Sequence, residues 1–321
     1  MLKRRTNLTK KDELNKYKEI LSKTVTTEQL AELTQHQYAH SSLLAMTKDW
    51  NLFTEFCLSR QLCPLPATST TVRQFIEKES QERKFSTIRR YTVTITVIHK
   101  FLSCPDPIRS TDVRLLLMSL RQEKKGDNKQ ADAFDLTHLQ MLNKRMQHSK
   151  NKRDIRDLAI YFLMFECALK RAELRDFQTS QLLDHNPQHL HVALHHETYG
   201  LSAEATQAIE KWRDLIDISD SPYLFRSIDR HQNIAANKLN DSSIYRILRH
   251  AGERLGMKHL KFSGQSTRIG AVRELHKQGM KVREIQSFGR WHSPVMPAQY
   301  VGDTHSAETM MLRYKSFKPW K

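Results

Sequence analysis

The sequence predicts a mainly α-helical protein of two domains, with a small antiparallel sheet in its second half. Apolar residues recur at steps of three and four along most of the chain, which is the period of an amphipathic helix. Between residues 189 and 201 the period changes to two, which indicates a β-hairpin. A charged stretch at 123–134 contains few apolar residues and predicts an exposed linker between the two halves.

The length and the composition agree with two domains. The chain has 321 residues, of which 39% are hydrophobic. At roughly 150 residues per domain this length allows two domains, and the apolar content allows each of them to bury a core. We predict that residues 39–122 form the first domain and residues 135–321 the second, and that the polar residues 1–38 form a basic N-terminal extension.

The first domain is predicted to be a bundle of four short helices. Thr70 or Thr71 can cap the second helix and Ser86 the third, because hydroxyl side chains satisfy the free N–H groups at a helix start. Prolines follow the first and third helices and end them. The apolar stripes of the four helices are Leu43, Met46, Trp50, Phe53 and Cys57; Val72, Phe75 and Ile76; Ile88, Tyr91, Ile95, Ile98 and Leu102; and Val113, Leu116, Leu117 and Leu120.

The second domain is predicted to be mostly helical. His189–Leu194 alternates polar and apolar residues, and Thr198–Leu201 follows it after a tight turn. These two stretches predict a small antiparallel hairpin among the helices. The helical period is present at 136–147, 154–170, 203–216, 241–255, 266–278, 281–288 and 305–313.

The charge of the chain favours a nucleic acid as its partner. Lys and Arg number 52 against 35 Asp and Glu, which gives a formal net charge of +17. The basic clusters occur in both halves, whereas a membrane anchor concentrates its charge beside one amphipathic helix. No run approaches the roughly 20 apolar residues that span a bilayer, and the N-terminus lacks the apolar stretch of a signal peptide. We therefore expect a cytoplasmic, nucleoid-associated protein that has no membrane partner.

Four cysteines are scattered along the chain without a Cys-x-x-Cys pair. Cys57 and Cys167 lie within apolar helical patterns, where a free thiol packs as a small hydrophobic group. The spacing therefore predicts neither a disulfide nor a zinc site.

Three short motifs in the second domain stand out: SGQSTRIGA at 263–271, IQSFGRW at 285–291 and AQY at 298–300. Their order resembles the tyrosine recombinases, the phage integrase family, and within them the Cre-like recombinases. In that family an H-x-x-R box begins a helix, a Trp or His follows some twenty residues later, and the nucleophilic Tyr lies nine residues beyond it. Arg268, Trp291 and Tyr300 reproduce this pattern. The resemblance covers about residues 40–315.

The resemblance implies a core-binding domain at 39–122, a catalytic domain at 135–321 and a defined chemistry. Tyr300 would attack a DNA phosphate and hold it covalently, which conserves the bond energy and requires neither a cofactor nor a metal. Arg268 would stabilise the charge that develops on the phosphate oxygens. Trp291 would pack beside them and donate its indole N–H. In the family a lysine on the hairpin and a histidine in the second box supply the general acid and base.

The sequence departs from the family at three positions. Lys170 takes the place of the first-box arginine, and an ammonium lacks the bidentate contact of a guanidinium. The next residue, Arg171, is predicted to point about 100° away round the helix. Gln265 replaces the second-box histidine, and an amide does not transfer protons at neutral pH. The hairpin lysine has no counterpart, and His195 and His196 occupy the turn where it would lie.

Four further cations are candidates for binding DNA: Arg89, Arg90, Lys129 and Arg171. Duplex DNA is the expected partner, and the resemblance implies a homo-oligomer on DNA, most simply a tetramer joined through a tail helix at 305–314. Two hypotheses remain open. The chain is either a site-specific recombinase that uses a 3′-phosphotyrosyl intermediate, with the catalytic set Tyr300, Arg268, Trp291, Lys170, Gln265 and His196, or a non-catalytic DNA-binding protein on the recombinase fold, serving as an accessory or regulatory factor.

Overall fold

The computed structural model describes residues 11–127, 130–186 and 189–302. The chain divides into two compact units, Met1–Lys129 and Gln130–Lys321. This division falls inside the segment 123–134 that the composition predicts to be the linker. No helix in the described part of the chain has both the length and the apolar character needed to cross a membrane.

The first unit is helical throughout its described residues. Its core is built from the predicted apolar stripes, and Trp50, Phe53 and Phe75 are fully buried with neighbouring ring centroids 5.1 to 5.5 Å apart. Thr68 caps α4 by accepting from the Thr71 amide, two or three residues before the predicted cap. The helices are α1 (Lys11–Leu21), α2 (Thr27–Leu33), α3 (His40–Ser59), α4 (Ser69–Ser80), α5 (Phe85–Phe101) and α6 (Thr111–Glu123).

The core of the first unit begins earlier than the sequence predicts. Residues 1–38 are expected to form an extension, but α1 and α2 pack against α3, and Leu21, Leu30 and Leu33 are buried. The indole N–H of Trp50 donates to the Leu21 carbonyl at 3.1 Å. These two helices are short and mostly polar, and their few apolar residues are concentrated on the buried side. Residues 1–10 lie outside the described residues.

The second unit is built around α8, in which every side chain from Arg156 to Phe165 is buried. The linker prediction extends too far, because Phe134 is fully buried in this core. Two short helices, α9 and α14, are not predicted from the sequence, and both carry site residues. The helices are α7 (Leu136–Met146), α8 (Lys152–Glu166), α9 (Arg171–Arg175), α10 (Ala203–Arg213), α11 (Asp241–Arg254), α12 (Gly264–Lys277), α13 (Val282–Phe288) and α14 (Val295–Tyr300).

A three-stranded antiparallel sheet contains the predicted hairpin. The strands are β1 (Leu182–Asn186), β2 (His189–Leu194) and β3 (Glu197–Gly200), in the order β1-β2-β3. Leu194 pairs with Glu197, so His195 and His196 form the turn between β2 and β3. A second sheet, which the sequence does not predict, pairs β4 (Arg226–Ile228) with β5 (Ile234–Lys238). The predicted helix at 305–313 lies outside the described residues.

Candidate active site

The start of α12 places two of the site residues on one helix face. Ser263 precedes the helix, and its hydroxyl accepts from the Gln265 amide. Its own amide donates to the Ser266 hydroxyl at 2.9 Å, so the free N–H groups of the first turn find partners locally. Gln265 and Arg268 are three residues apart and therefore point to the same side.

Tyr300 ends α14 and is 4% exposed. Its phenolic oxygen accepts a hydrogen bond from the Gln265 amide nitrogen at 2.8 Å. A donor aimed at this oxygen stabilises negative charge as the phenol loses its proton. Tyr300 also packs with Ile269, Val272 and Ile285, so one small apolar cluster joins α12, α13 and α14.

Arg268 is held between two backbone carbonyls and an aromatic ring. Its guanidinium donates to the Ala168 carbonyl and, at 2.8 Å, to the Gly289 carbonyl. Its central carbon lies 3.9 Å from the centre of the Trp291 ring. Burial first, and then the charge of Arg290, lower the pKa of Arg268 to about 10, so the group stays charged at neutral pH. Its Nε–H has no acceptor among the described residues.

Trp291 lies between Arg268 and Tyr300, with its ring 6.1 Å from the Tyr300 ring in an edge-to-face arrangement. The turn before it requires a glycine, because a Cβ atom on Gly289 would lie 1.6 Å from the indole ring. The chain then passes through Arg290 with a φ of 57°. Arg268, Trp291 and Tyr300, which the motif spacing groups together, are therefore in contact in the structure: the arginine stacks on the indole and the indole meets the phenol ring.

Glu173 gathers the charges on the other side of the site. Its carboxylate accepts two bonds from Arg290, at 3.2 and 2.9 Å. The Lys170 ammonium lies 3.4 Å from it and His195 Nε2 3.6 Å from it. Burial alone would raise the pKa of Glu173, but the hydrogen bonds from Arg290 and from the Lys170 amide, with the charges of both cations, lower it to about 2. Glu173 is therefore ionised throughout the physiological range.

Arg290 connects four segments of the second unit. It lies inside the IQSFGRW motif, but the sequence analysis assigns it no role. Besides Glu173, it donates to the Tyr199 hydroxyl at 2.6 Å and to the carbonyls of Phe288 and Cys167 at 3.0 and 3.1 Å. Its three nitrogens are all engaged, so Arg290 acts as a structural tie. The sequence does not predict this role, because most partners of Arg290 lie about 90 to 120 positions away along the chain.

The structure brings the hairpin turn to the site through His195. The side chain of His196, the residue named in the predicted catalytic set, is exposed at the next position of the turn. His195 has a φ of 56° and reaches the Glu173 carboxylate. Of the two histidines in this turn, His195 is therefore the one that contacts the Glu173 carboxylate.

The stem of Arg171 lies against the start of α12, whereas the sequence predicts a side chain that points about 100° away from Lys170 round the helix. A Cβ atom on Gly264 would lie 2.4 Å from the Arg171 Cγ and 3.0 Å from its Cδ. The arginine stem therefore lies directly across the start of α12. The prediction assumes an ideal helix in isolation, whereas α9 is five residues long and Arg171 is its first residue.

The predicted DNA-binding residues of the first unit differ in their surroundings. Arg89 is exposed on α5. Arg90 donates twice to the buried Asp49 carboxylate, at 2.8 and 2.7 Å, and this ion pair joins α5 to α3. Arg90 thus has a structural partner in addition to its predicted role. Lys129 lies outside the described residues.

The described residues hold no group of three or more His, Cys, Asp or Glu side chains placed to bind a metal ion. The four cysteines are free thiols. Burial raises the pKa of the Cys57 thiol to about 12 and also raises that of Cys167. These two thiols therefore stay protonated and pack within the cores.

Comparisons with known proteins agree with this arrangement. The phage integrase family profile matches residues 135–307. The chain is 24% identical over 303 residues to the Cre recombinase of Escherichia phage P1, across 86% of this chain and 87% of that protein. It is 25% identical over 281 residues to an integrase/recombinase XerD homologue of Selenomonas ruminantium, across 82% of each.

Two solved structures share the fold. The Tn1549 transposon integrase in complex with transposon right end DNA superposes with a TM-score of 0.61 at 11% identity, over 90% of this chain and 100% of that one. The XerH site-specific recombinase bound to a palindromic difH substrate gives a TM-score of 0.62 at 11% identity, over 98% of this chain and 90% of that one. The fold class predicted from the sequence is confirmed.

A helical first unit, a helical second unit with a small antiparallel sheet, and a tyrosine beside a stacked arginine are the fold and site pattern of the tyrosine recombinase class. The family profile covers more than half of the chain. The chain belongs to the phage integrase family, as the resemblance of its motifs predicts.

Proposed function

We propose that this protein cuts and rejoins duplex DNA at specific sites, through a 3′-phosphotyrosyl intermediate formed by Tyr300. The observation that carries the proposal is the hydrogen bond of 2.8 Å from Gln265 to the Tyr300 hydroxyl, beside the Arg268 guanidinium stacked on Trp291. A nucleophile, a donor to its oxygen and a preplaced cation are the groups that phosphoryl transfer needs.

The cleavage step forms a bond from the Tyr300 oxygen to phosphorus and breaks the bond from phosphorus to the 5′ oxygen. The phenol loses its proton to solvent or to a basic group on the DNA side. Arg268 stabilises the non-bridging oxygens, and the leaving 5′ oxygen takes up a proton. In the rejoining step a 5′ hydroxyl attacks the phosphotyrosyl bond and releases the phenol, so the DNA ends are conserved.

The proton for the leaving oxygen has three candidate donors on the charged side of the site. The Lys170 ammonium and His195 Nε2 both lie beside the ionised Glu173, at 3.4 and 3.6 Å. His196 remains the donor that the sequence predicts, on the same turn. Gln265 accounts for the nucleophile's hydrogen bond but transfers no proton.

Duplex DNA is the proposed partner, and the excess of positive charge supports it. The related integrase and XerH structures were both solved with DNA. We propose that the protein assembles on DNA as a homo-oligomer, a tetramer, and works in the cytoplasm with the nucleoid. The tail segment 305–314, which we propose as the docking element, lies outside the described residues.

A second candidate function is a non-catalytic DNA-binding factor on the same fold. Lys170 and Gln265 favour it, because each supplies less than the arginine or histidine that the family pattern has at its position. The two functions make different predictions about covalent chemistry, although both predict DNA binding.

Covalent capture distinguishes the two functions and does not require a defined target sequence. The protein is incubated with a duplex library that has a randomised core and nicks at staggered positions, and DNA that survives denaturation on the protein is recovered. A nick lets the short 5′-hydroxyl fragment diffuse away, which traps the adduct. We expect capture by the wild-type chain and none by Tyr300→Phe, and the released fragment should be a substrate for polynucleotide kinase.

Two other results would contradict the proposed function or the assigned nucleophile. Library retention without any covalent product would support the non-catalytic function. Adducts that persist in Tyr300→Phe would mean that another residue is the nucleophile. Affinity for the recovered duplex should change by no more than about 1 kcal/mol in this variant, the contribution of one hydrogen bond.

A further inference from the structure

The cations of α9, of the residue before it and of the turn before Trp291 differ in whether a carboxylate holds them. Lys170 is paired with Glu173 at 3.4 Å, and all three nitrogens of Arg290 donate to protein acceptors. Arg175, at the end of α9, is paired with Asp176 at 2.6 Å and with Asp241 at 3.0 Å. Each of these cations therefore has at least one carboxylate partner, which reduces its capacity to bind an added phosphate.

Arg171 is the exception on α9. It is exposed, and its guanidinium has no hydrogen bond or ion pair with any residue in the described ranges 11–127, 130–186 and 189–302. An exposed guanidinium without a carboxylate partner keeps its full charge and its five N–H donors for an anion.

The stem of Arg171 crosses the first turn of α12 at Gly264. A Cβ atom at position 264 would overlap the Arg171 Cγ at 2.4 Å, so a larger residue would displace the stem. Gly264 directly precedes Gln265, whose amide binds the Tyr300 hydroxyl, and lies one helical turn before Arg268. The side chain of Arg171 thus crosses the first turn of α12, the same turn that carries Gln265 and leads to Arg268.

We propose that Arg171 is a catalytic residue that supplies the second guanidinium to the scissile phosphate, reaching it across Gly264. A planar guanidinium donates two parallel hydrogen bonds to two oxygens of one phosphate, which the Lys170 ammonium does not do. Arg171 thereby provides, from one position further along the chain, the bidentate contact that Lys170 lacks. The inference rests on the proposed recombinase function and assigns a further residue to that site.

Single-turnover adduct formation tests the assignment, with the duplex recovered by covalent capture at a saturating protein concentration. We expect Arg171→Ala to lower the rate by about 10²-fold, the usual effect of losing one donor to a developing oxyanion. Arg171→Lys should recover only part of the rate. The control is Arg283→Ala, which removes an exposed arginine of α13 in the same unit and should leave the saturated rate within twofold of wild type.

Chemical rescue separates a phosphate contact from a structural effect. Millimolar guanidinium chloride should raise the rate of Arg171→Ala at least fivefold over sodium chloride of the same ionic strength. It should not raise the rate of wild type or of Arg283→Ala. A small cation that restores the rate must act at the position that the side chain left empty, whereas a misfolded site would not respond.

Gly264→Ala tests the path of the side chain. We expect it to lower the rate at least tenfold in wild type, because it displaces the Arg171 stem, and to have no further effect in Arg171→Ala. A melting curve checks that Gly264→Ala is folded, and the Arg171 variants decide the question if it is not.

Three results would overturn the assignment: a rate in Arg171→Ala within twofold of wild type, no response to guanidinium, or equal effects of Arg171→Ala and Arg283→Ala. A wild-type chain that forms no adduct would overturn the proposed function, and the assignment with it. A wild-type chain that forms adducts while the Arg171 variants behave normally would leave the proposed function in place.

Discussion

The two sides of the candidate active site are built in different ways. The tyrosine side consists of Gln265, Arg268, Trp291 and Tyr300, and the glutamate side consists of Lys170, Glu173, His195 and Arg290. On the tyrosine side the polar groups meet one another or backbone carbonyls, and an aromatic ring orients the cation. On the glutamate side one carboxylate gathers two cations, Lys170 and Arg290, and the imidazole of His195.

This difference separates the roles of the two sides. Arg268 is held by neutral carbonyls and a ring, so its charge is not cancelled and is available to a phosphate. Lys170 and Arg290 share the single carboxylate of Glu173, which offsets one of their two positive charges. Under the proposed function, the tyrosine side binds the phosphate oxygens, while Glu173 holds the candidate proton donors Lys170 and His195 and, through Arg290, the turn before Trp291.

The largest expected effect is on stability, and it concerns the glutamate side. Arg290→Gly suits the backbone φ of 57° but removes the side chain that ties Glu173 to Tyr199. We expect the free energy of unfolding of the second unit to fall by about 3–5 kcal/mol, because a carboxylate that is only 12% exposed loses both hydrogen bonds from its guanidinium partner. Hydrogen exchange of the second-unit amides measures this change. A loss below about 1 kcal/mol would contradict the role of Arg290 as a structural tie.

A similarly large effect is expected on catalysis from the tyrosine side. Arg268→Ala should lower the rate of covalent adduct formation by about 10²- to 10³-fold, because the developing phosphate charge loses its stacked cation. Arg268→Lys should recover little of this rate, since an ammonium lacks the planar fork that stacks on Trp291. The measurement is a single-turnover time course on captured duplex DNA. A normal rate in either variant would mean that Arg268 holds the fold and does not contact the phosphate.

The pH dependence of stability sharpens the comparison. Glu173 has its pKa lowered from the ordinary 4.5 to about 2, so its stabilising contribution is fully present above about pH 5 and is lost as the pH falls toward 2. Wild type should therefore lose about 3 kcal/mol more than Glu173→Gln between pH 6 and pH 2, since each tenfold change in proton affinity corresponds to about 1.4 kcal/mol. Denaturant titrations at several pH values give the two curves. Parallel curves would contradict the depressed pKa.

The smallest expected effect comes from restoring the family's residues. Gln265→His introduces a titratable imidazole beside the Tyr300 hydroxyl and should raise adduct formation by up to about tenfold near neutral pH. Lys170→Arg should add less, because the new guanidinium would share Glu173 with Arg290. Rates from the two single variants and the double variant measure their coupling. A lower rate in Gln265→His would show that the native amide is the better donor to Tyr300.

Much of the fold is accessible from the sequence because it depends on local periodicity. The stripes of α3 to α6 and α8, and the alternation in β2, follow from neighbouring residues alone. The packed helices α1 and α2 are predicted as an extension because their polar composition outweighs their few buried leucines. Helices α9 and α14 escape prediction because five or six residues carry too little periodicity to be recognised.

For the site, the sequence by itself predicted the main residues of the tyrosine side, through the resemblance of its motifs to the family. Arg268, Trp291 and Tyr300 lie within 33 residues of one another, on α12, in the segment between α13 and α14, and at the end of α14, so a motif read along the chain can include all three. Only the tertiary structure decided the glutamate side. Glu173 and Arg290 are separated by 117 positions, and the stem of Arg171 crosses Gly264 on another helix. Contacts of this kind leave no periodic signal, because they form only when the packing of α8, α9 and α12 brings distant segments together.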